Sequence, residues 1–520
     1  MESSQKERAL KKLDTEIDRD IDKLIDASKG STISELLWWL YLLHLNRVVR
    51  SNLDIIPEGV NENSIKAVTS MGEESLKYLI QLNIKYRRNE LQQYGEYIVF
   101  NQRLTDYLFK NANILNSKYE TYSFVNLFEV SVHGDRDRYV KIDMSEVKTN
   151  PEVKQFFDYF VRIDRDNFLK KNSKKLHTEF INNFYNEYRD YEDLFKEEFK
   201  ISLKKFIKLL IFLFDTIRAK MKSVENKLPR MENGKIDVLT YQAFNNFSEV
   251  FLFKEADLKT RFGKDTLDVI HRMTFKTEEF NERELRYYLL SRCPFINIGQ
   301  GIILVSPELI LDSLFINIHY TLLEASGKIK EEYKKRYSDK FLDSIVRIAE
   351  KAGFVEVSRG TDLFEGKRNI GDIDLILKNN SEKYLLIEAK NHALPLNVYF
   401  KDLEAVKNHL EYLKNEWEKK VLIRHNHVKC KSKDYDIGDN YKYIIVSKYP
   451  EIISHYSELL ILSIHEFEWF INNNSADFNF SEIYSQIYET GVGDLSLNDI
   501  KHLHEDGFLL MSKDSPIINS

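Results

Sequence analysis

Cysteine is nearly absent: Cys293 and Cys430 are the two in 520 residues, and they lie far apart. That excludes a disulfide framework and makes a reducing cytoplasm the expected compartment. Proline is scarce, at 8 residues, and glycine stops at 18, which argues against long disordered linkers. With so few breakers, the abundant Leu, Lys, Glu and Ile favour helix. No apolar run is long enough to cross a bilayer. The two most apolar stretches, 33–45 and 206–217, are interrupted by Glu35 and His44 and by Lys208 and Asp215, so they read as buried helices. The opening MESSQKERALKK carries no apolar signal core. An excess of positive charge is missing too: 76 Lys and Arg face 82 Asp and Glu, for a net charge of -6. A surface that coats nucleic acid indiscriminately is basic, so any such contact here is local, gated or helped by a partner.

What is present is a chain too long for one ordinary core, with no internal repeat and no low-complexity tract. Residues 6–28 form a charged helix ending at Gly30. Thr32 is the cap candidate for an apolar helix through Arg47. Another helix is expected from Glu73 to Leu91. Residues 95–145 are mixed, with strand-like runs at 97–100 and 122–134. Helical patterns return over 151–290. A hairpin turning at Gly299 to Gly301 follows, then a helix and a highly charged stretch at 327–340 that reads as a connecting helix. From there the pattern changes in kind. A helix from Phe341 to Lys351 stops at Gly353, and five short apolar runs follow: FVEV, DIDLIL, YLLIEA, YIIVS and LLILSI. One long helix, Phe400 to Glu418, separates the third from the fourth. The expected architecture is α+β: a mostly helical region over 1–325, with two subdomains as an option; an α/β domain with a mixed central sheet over 327–470; and a helical tail over 471–520.

The chemistry concentrates in GDIDLILKNNSEKYLLIEAKN, residues 371–391. Two apolar runs flank a polar turn, which reads as a hairpin. Side chains alternate faces along a strand, so Asp372, Asp374 and Ile376 share one face, and Tyr384, Leu386, Glu388 and Lys390 share another. Normal pairing brings Asp374 beside Glu388 and Lys390. Two carboxylates supply hard oxygen ligands for Mg²⁺, and a lysine beside them suits developing phosphate charge. Charges on otherwise apolar strands cost stability unless paired or liganded, which favours a functional account over a solvated ribbon.

In these residues the chain resembles the PD-(D/E)XK, or restriction-endonuclease-like, nucleases. Their pattern is an acid on one strand, then roughly a dozen residues later (D/E)-x-K on the next. Here it reads Asp374, then Glu388-Ala389-Lys390, in flanks similar to those of DNA-cutting members such as restriction enzymes and Holliday-junction resolvases. The resemblance implies that Asp374 and Glu388 bind Mg²⁺, with Mn²⁺ as a substitute, that the Ala389 backbone carbonyl is a further ligand, and that Lys390 is the catalytic lysine. Members often carry a glutamate on the preceding helix. Leu342 stands there in this chain, so Asp343 is the candidate additional acid.

The implied activity is metal-dependent hydrolysis of DNA phosphodiester bonds by an endonuclease. RNA presents the same chemistry at phosphorus. The helical region would then regulate or recruit, through a protein partner or a second copy of the chain, an organisation similar to bacterial restriction and phage-defence effectors. The rival reading is a catalytically weak nuclease fold that binds nucleic acid or serves as an assembly subunit; the net negative charge and the departure from the family's upstream glutamate favour it, and the intact Asp374, Glu388 and Lys390 set opposes it. His392, Lys401 and Lys407 are candidate phosphate contacts, although a solvated helix face explains the lysines nearly as well. His425, His427 and Cys430 in HNHVKC are zinc-type donors, but three of them without a CxxC partner fall short of a site. A fragment starting near residue 327 is expected to fold and retain the metal site.

Overall fold

A computed structural model of the chain describes residues 2–51, 62–88, 101–128, 131–135, 139–143, 151–171, 176–226, 247–285, 289–391, 394–399, 401–473, 479–489 and 508–511. The class is α+β: a helical N-terminal region and a mixed five-stranded sheet near the C-terminus. No helix among the described residues is long and apolar enough to cross a membrane.

The chain divides into two compact units. The first comprises residues 1–122 and 172–333. Its first helix, Glu2–Ser28, buries Ala9, Leu13, Ile17, Ile21 and Leu24, a stripe at helical spacing. The next, Ile33–Ser51, is capped by Thr32. The Thr32 hydroxyl accepts from the Ser34 N–H at 3.1 Å, and Glu35 accepts from the Thr32 N–H at 2.6 Å. The expected hairpin is present as Phe295–Gly299 and Ile302–Val305. Its turn places Gly299, Gln300 and Gly301 at positive φ, a demand that glycine meets cheaply. Leu252–Lys254 adds a third strand inside a stretch expected to be helical. Residues 97–100 lie outside the described residues. The strand-like reading of 122–134 holds only for Ser131–Asp135, because Tyr122 to Leu127 end the helix Gln102–Leu127. There Thr121, Val125 and Phe128 are buried at spacings of four and three, and that helical burial overrides the aromatic-rich composition.

The second unit comprises residues 123–171 and 334–520, so it differs from the division expected at 325–327. The two helices expected on either side of residue 340 are one, α1 (Lys328–Lys351), closed by Gly353 at φ +81°. Five strands follow: β1 (Phe354–Glu365), β2 (Arg368–Asn379), β3 (Tyr384–Lys390), β4 (Tyr441–Ser447) and β5 (Leu460–Ser463). They are ordered β5-β4-β3-β2-β1. The β1–β2 and β2–β3 pairs are antiparallel; β3–β4 and β4–β5 are parallel. The parallel β3–β4 step needs a long crossover, supplied by α2 (Leu403–Tyr412) running through a π-helical segment, Leu413–Glu418, into α3 (Lys419–Lys431). One sheet face presents Leu375, Leu377, Leu385, Ile387, Ile444 and Val446 to Phe341, Ile345 and Ala349 of α1 and to Phe467 and Phe470 of α4 (Ile464–Asn472). Strand β1 is three times the four-residue FVEV run, because its polar outer half is held by pairing with β2 rather than by burial.

Residues 123–171 enter this unit through a buried ion pair. Arg162, on helix Pro151–Lys171, is fully buried and bidentate to Glu466, at 2.7 and 3.0 Å. It also donates to the Glu451 carbonyl at 2.9 Å and to Ser454 Oγ at 3.2 Å. Burial alone would raise the Glu466 carboxyl; Arg162 overrides that and holds it below the usual carboxylate range. Removing one partner of such a pair strands the other charge. Arg162→Ala should therefore cost about 3–5 kcal/mol, read as a lower denaturant midpoint with the second unit melting first. For the same reason residues 327–520 alone should give no cooperative unfolding transition, whereas the full chain should. A sharp transition from that fragment would show Arg162 to be dispensable.

Candidate active site

The polar hairpin of the sequence sits where β2 meets β3. Leu375 pairs with Ile387 and Ile376 with Leu386. One step further along this register Asp374 faces Glu388. Leu375 and Ile387 point into the core shared with α1, so by alternation Asp374, Glu388 and Lys390 project to the opposite face. That face is the one α3 approaches, through Arg424. The structure thus brings the three residues together.

Each acid has defined partners. Asp374 is half-buried, and its Oδ2 accepts from the Ala389 N–H at 2.7 Å. Glu388 is 0% exposed. Its Oε1 accepts from the Tyr443 hydroxyl at 2.6 Å, and its Oε2 accepts from Lys390 Nζ at 3.4 Å. Arg424 Nε lies 3.2 Å from Oε1 as an ion pair, but without hydrogen-bond alignment, so Nε is buried and unpartnered. Arg424 Nη1 donates to the Asp372 carbonyl at 3.2 Å. Lys390 Nζ stands 5.9 Å from the Trp417 ring.

Burial is the largest influence on both acids. It raises the Asp374 carboxyl against the opposing Ala389 N–H and Lys390. It raises the Glu388 carboxyl against Lys390 and Arg424, with Asp374 pushing the same way as burial. Tyr443 is raised by burial and by Glu388, so it stays a neutral donor. His425 is lowered by burial and then by Lys429; its ring lies 5.0 Å from that of Tyr443 and is a neutral packing element.

The remaining candidates do not join the group. Asp343 is exposed and paired with Arg359 at 3.0 Å, and α1 packs on the other sheet face. Asp372 stands at the edge of the group, with Arg424 Nη1 3.8 Å from its Oδ1 and its charge helping to raise the Asp374 carboxyl. His392 lies outside the described residues. Lys401 sits at φ +61° in the turn before α2, and Lys407 donates to the Leu127 carbonyl at 3.4 Å, tying α2 to residues 123–171. His427 bonds the Tyr435 hydroxyl at 2.9 Å and Cys430 is exposed, so HNHVKC gathers no zinc site. Among the described residues no group of three or more His, Cys, Asp or Glu is arranged to hold a metal. Asp374 and Glu388 are therefore a two-carboxylate set. Such a set fits Mg²⁺, which binds few protein groups and keeps several waters, and the burial that raises both carboxyls would be relieved by a dication.

Sequence reasoning missed Arg424, Tyr443, Trp417 and Gly371. One signal was available: Trp417, Val421, Arg424 and Val428 repeat at helical spacing, and Val421 and Val428 are fully buried, so Arg424 interrupts an apolar stripe. Gly371 is required at its place. At φ +118°, a Cβ there would stand 2.8 Å from Arg424 Cδ.

No family model matches the chain, and neither a curated protein nor a solved structure matches it.

A carboxyl whose folded pKa is raised destabilises the fold wherever it is ionised. That destabilisation is largest at neutral pH and fades as pH falls through the raised value. Asp374→Asn keeps an oxygen for the Ala389 N–H and removes the charge. In EDTA at pH 7 it should melt above the wild type, with the gap closing as pH falls into the carboxylate range. An Asn variant that melts lower at pH 7 would contradict this account.

Proposed function

We propose that the second unit is a metal-dependent nuclease that hydrolyses phosphodiester bonds in DNA, with the first unit regulating it or recruiting a partner. One observation carries the reading: two carboxylates and a lysine, Asp374, Glu388 and Lys390, meet on one sheet face at adjoining strands, with Glu388 fully buried. Burying such charge is costly, and apolar residues would pack this face more cheaply. The resemblance of the Asp374, Glu388-x-Lys390 pattern to the PD-(D/E)XK nucleases points the same way. A bound Mg²⁺ would polarise the phosphoryl oxygen and lower the pKa of a bound water.

The chain's own groups divide the remaining work. Ala389 N–H fixes the rotamer of Asp374, and Tyr443 fixes that of Glu388. Lys390 Nζ, 3.4 Å from Glu388, is placed to offset charge developing on the phosphate. A second reading, a nuclease fold kept as a binding or assembly module, is favoured by the engagement of Glu388 with Tyr443, Lys390 and Arg424 at once.

Cleavage assays on duplex DNA, single-stranded DNA and RNA with Mg²⁺ or Mn²⁺ separate the two. The nuclease reading expects DNA cleavage that excess EDTA abolishes. Lys390→Ala should lower turnover by about 100- to 1,000-fold while leaving DNA affinity close to wild type. A Lys390→Ala protein that cuts at the wild-type rate would overturn the mechanism, and no cleavage of any substrate by the wild type would favour the module.

A further inference from the structure

Both oxygens of Glu388 already face donors. Oε1 takes the Tyr443 hydroxyl and faces Arg424; Oε2 faces Lys390; the residue is wholly buried. A dication at Glu388 would meet the positive charges of Arg424 and Lys390. Tyr443 belongs to β4, inside the sheet, and Lys390 to β3 itself. Arg424 reaches in from α3 on a long side chain, filling the space left by the missing Cβ of Gly371.

From this arrangement we infer that Arg424 is an internal counter-cation of Glu388, a latch on the acid pair that a divalent cation must displace in order to bind. The inference rests on the metal-site reading above and adds a regulation of that site. Three features make Arg424 the group that moves. Its contact with Glu388 is an ion pair without a hydrogen bond, so little directional bonding is lost on release. Its Nε is buried without a partner, so the latched state leaves one donor unsatisfied, and release to water satisfies it. Its remaining hold is a single hydrogen bond to the Asp372 carbonyl, with the Asp372 carboxylate 3.8 Å away. A guanidinium and a dication at one carboxylate repel each other. Each therefore lowers the other's occupancy by the same factor.

The test uses the full chain, stripped with EDTA, and Mn²⁺ alone as the probe, followed by calorimetric titration. Arg424→Gln should bind Mn²⁺ about tenfold more tightly than the wild type, in the lower part of the usual range for coupled sites. It should also melt at a lower temperature without metal and gain more from added Mn²⁺. Arg424→Lys keeps the charge but loses the Asp372 carbonyl bond, so its affinity should fall between the two. Should Arg424→Gln fail to fold, the comparison of Arg424→Lys with the wild type decides. Mn²⁺ binding that is unchanged or weaker in these variants, but lost in Asp374→Asn, would overturn the latch and leave the metal site standing. Absence of Mn²⁺ binding from wild type and variants alike would overturn both.

Discussion

A carboxylate with no exposure to water, set among buried Leu386, Ile445 and Ile376, is the constraint around which this end of the molecule is built. Glu388 stays there only because three elements bring it partners: its own strand supplies Lys390, the parallel neighbour supplies Tyr443, and the crossover helix supplies Arg424. Each demand passes outward. Tyr443 stands two strand positions from Ile445, the Cα partner of Glu388, and so shares its face; this depends on the β3–β4 register. Arg424 requires the crossover helix to lie on that face, and the helix in turn requires Gly371 to lack a side chain.

The second unit uses buried ion pairs in two ways, and the difference lies in how completely the donors are satisfied. Arg162 meets Glu466 bidentately and directs its other nitrogens to the Glu451 carbonyl and Ser454. Glu466 is in turn engaged by the Ser463 N–H, as the capping box of α4, and by Tyr488. A network this well satisfied has little to gain from opening, so it serves as a fastening between residues 123–171 and the sheet. Arg424 is held by fewer bonds and keeps an orphan donor, which lowers the cost of release.

Much of the local structure was legible because it depends on neighbours in sequence. The cap at Thr32, the glycine turn at 299–301, the stop at Gly353 and the facing of Asp374, Glu388 and Lys390 all follow from spacing over a few residues. Where local composition pointed one way, the fold decided: burial makes the aromatic stretch 122–127 helix, and pairing with β2 makes the polar outer half of β1 strand. Asp343 illustrates the limit. Its distance along the chain from the hairpin suits an additional acid, yet α1 packs on the other sheet face and Asp343 pairs with Arg359.

By itself, the sequence determined the alternation that puts two carboxylates and a lysine on one side of a hairpin, because strand periodicity is a property of the backbone. It also determined the helical bias of the first 325 residues, through composition. Only the tertiary structure decided which cation faces Glu388, which hydroxyl orients it, and that residues 123–171 belong with a sheet that begins two hundred residues later. Those contacts join residues 55 apart for Tyr443 and 304 apart for Arg162. Contacts at such separations are chosen by which arrangement leaves the fewest buried charges unpaired, a condition on the whole fold that no local pattern records.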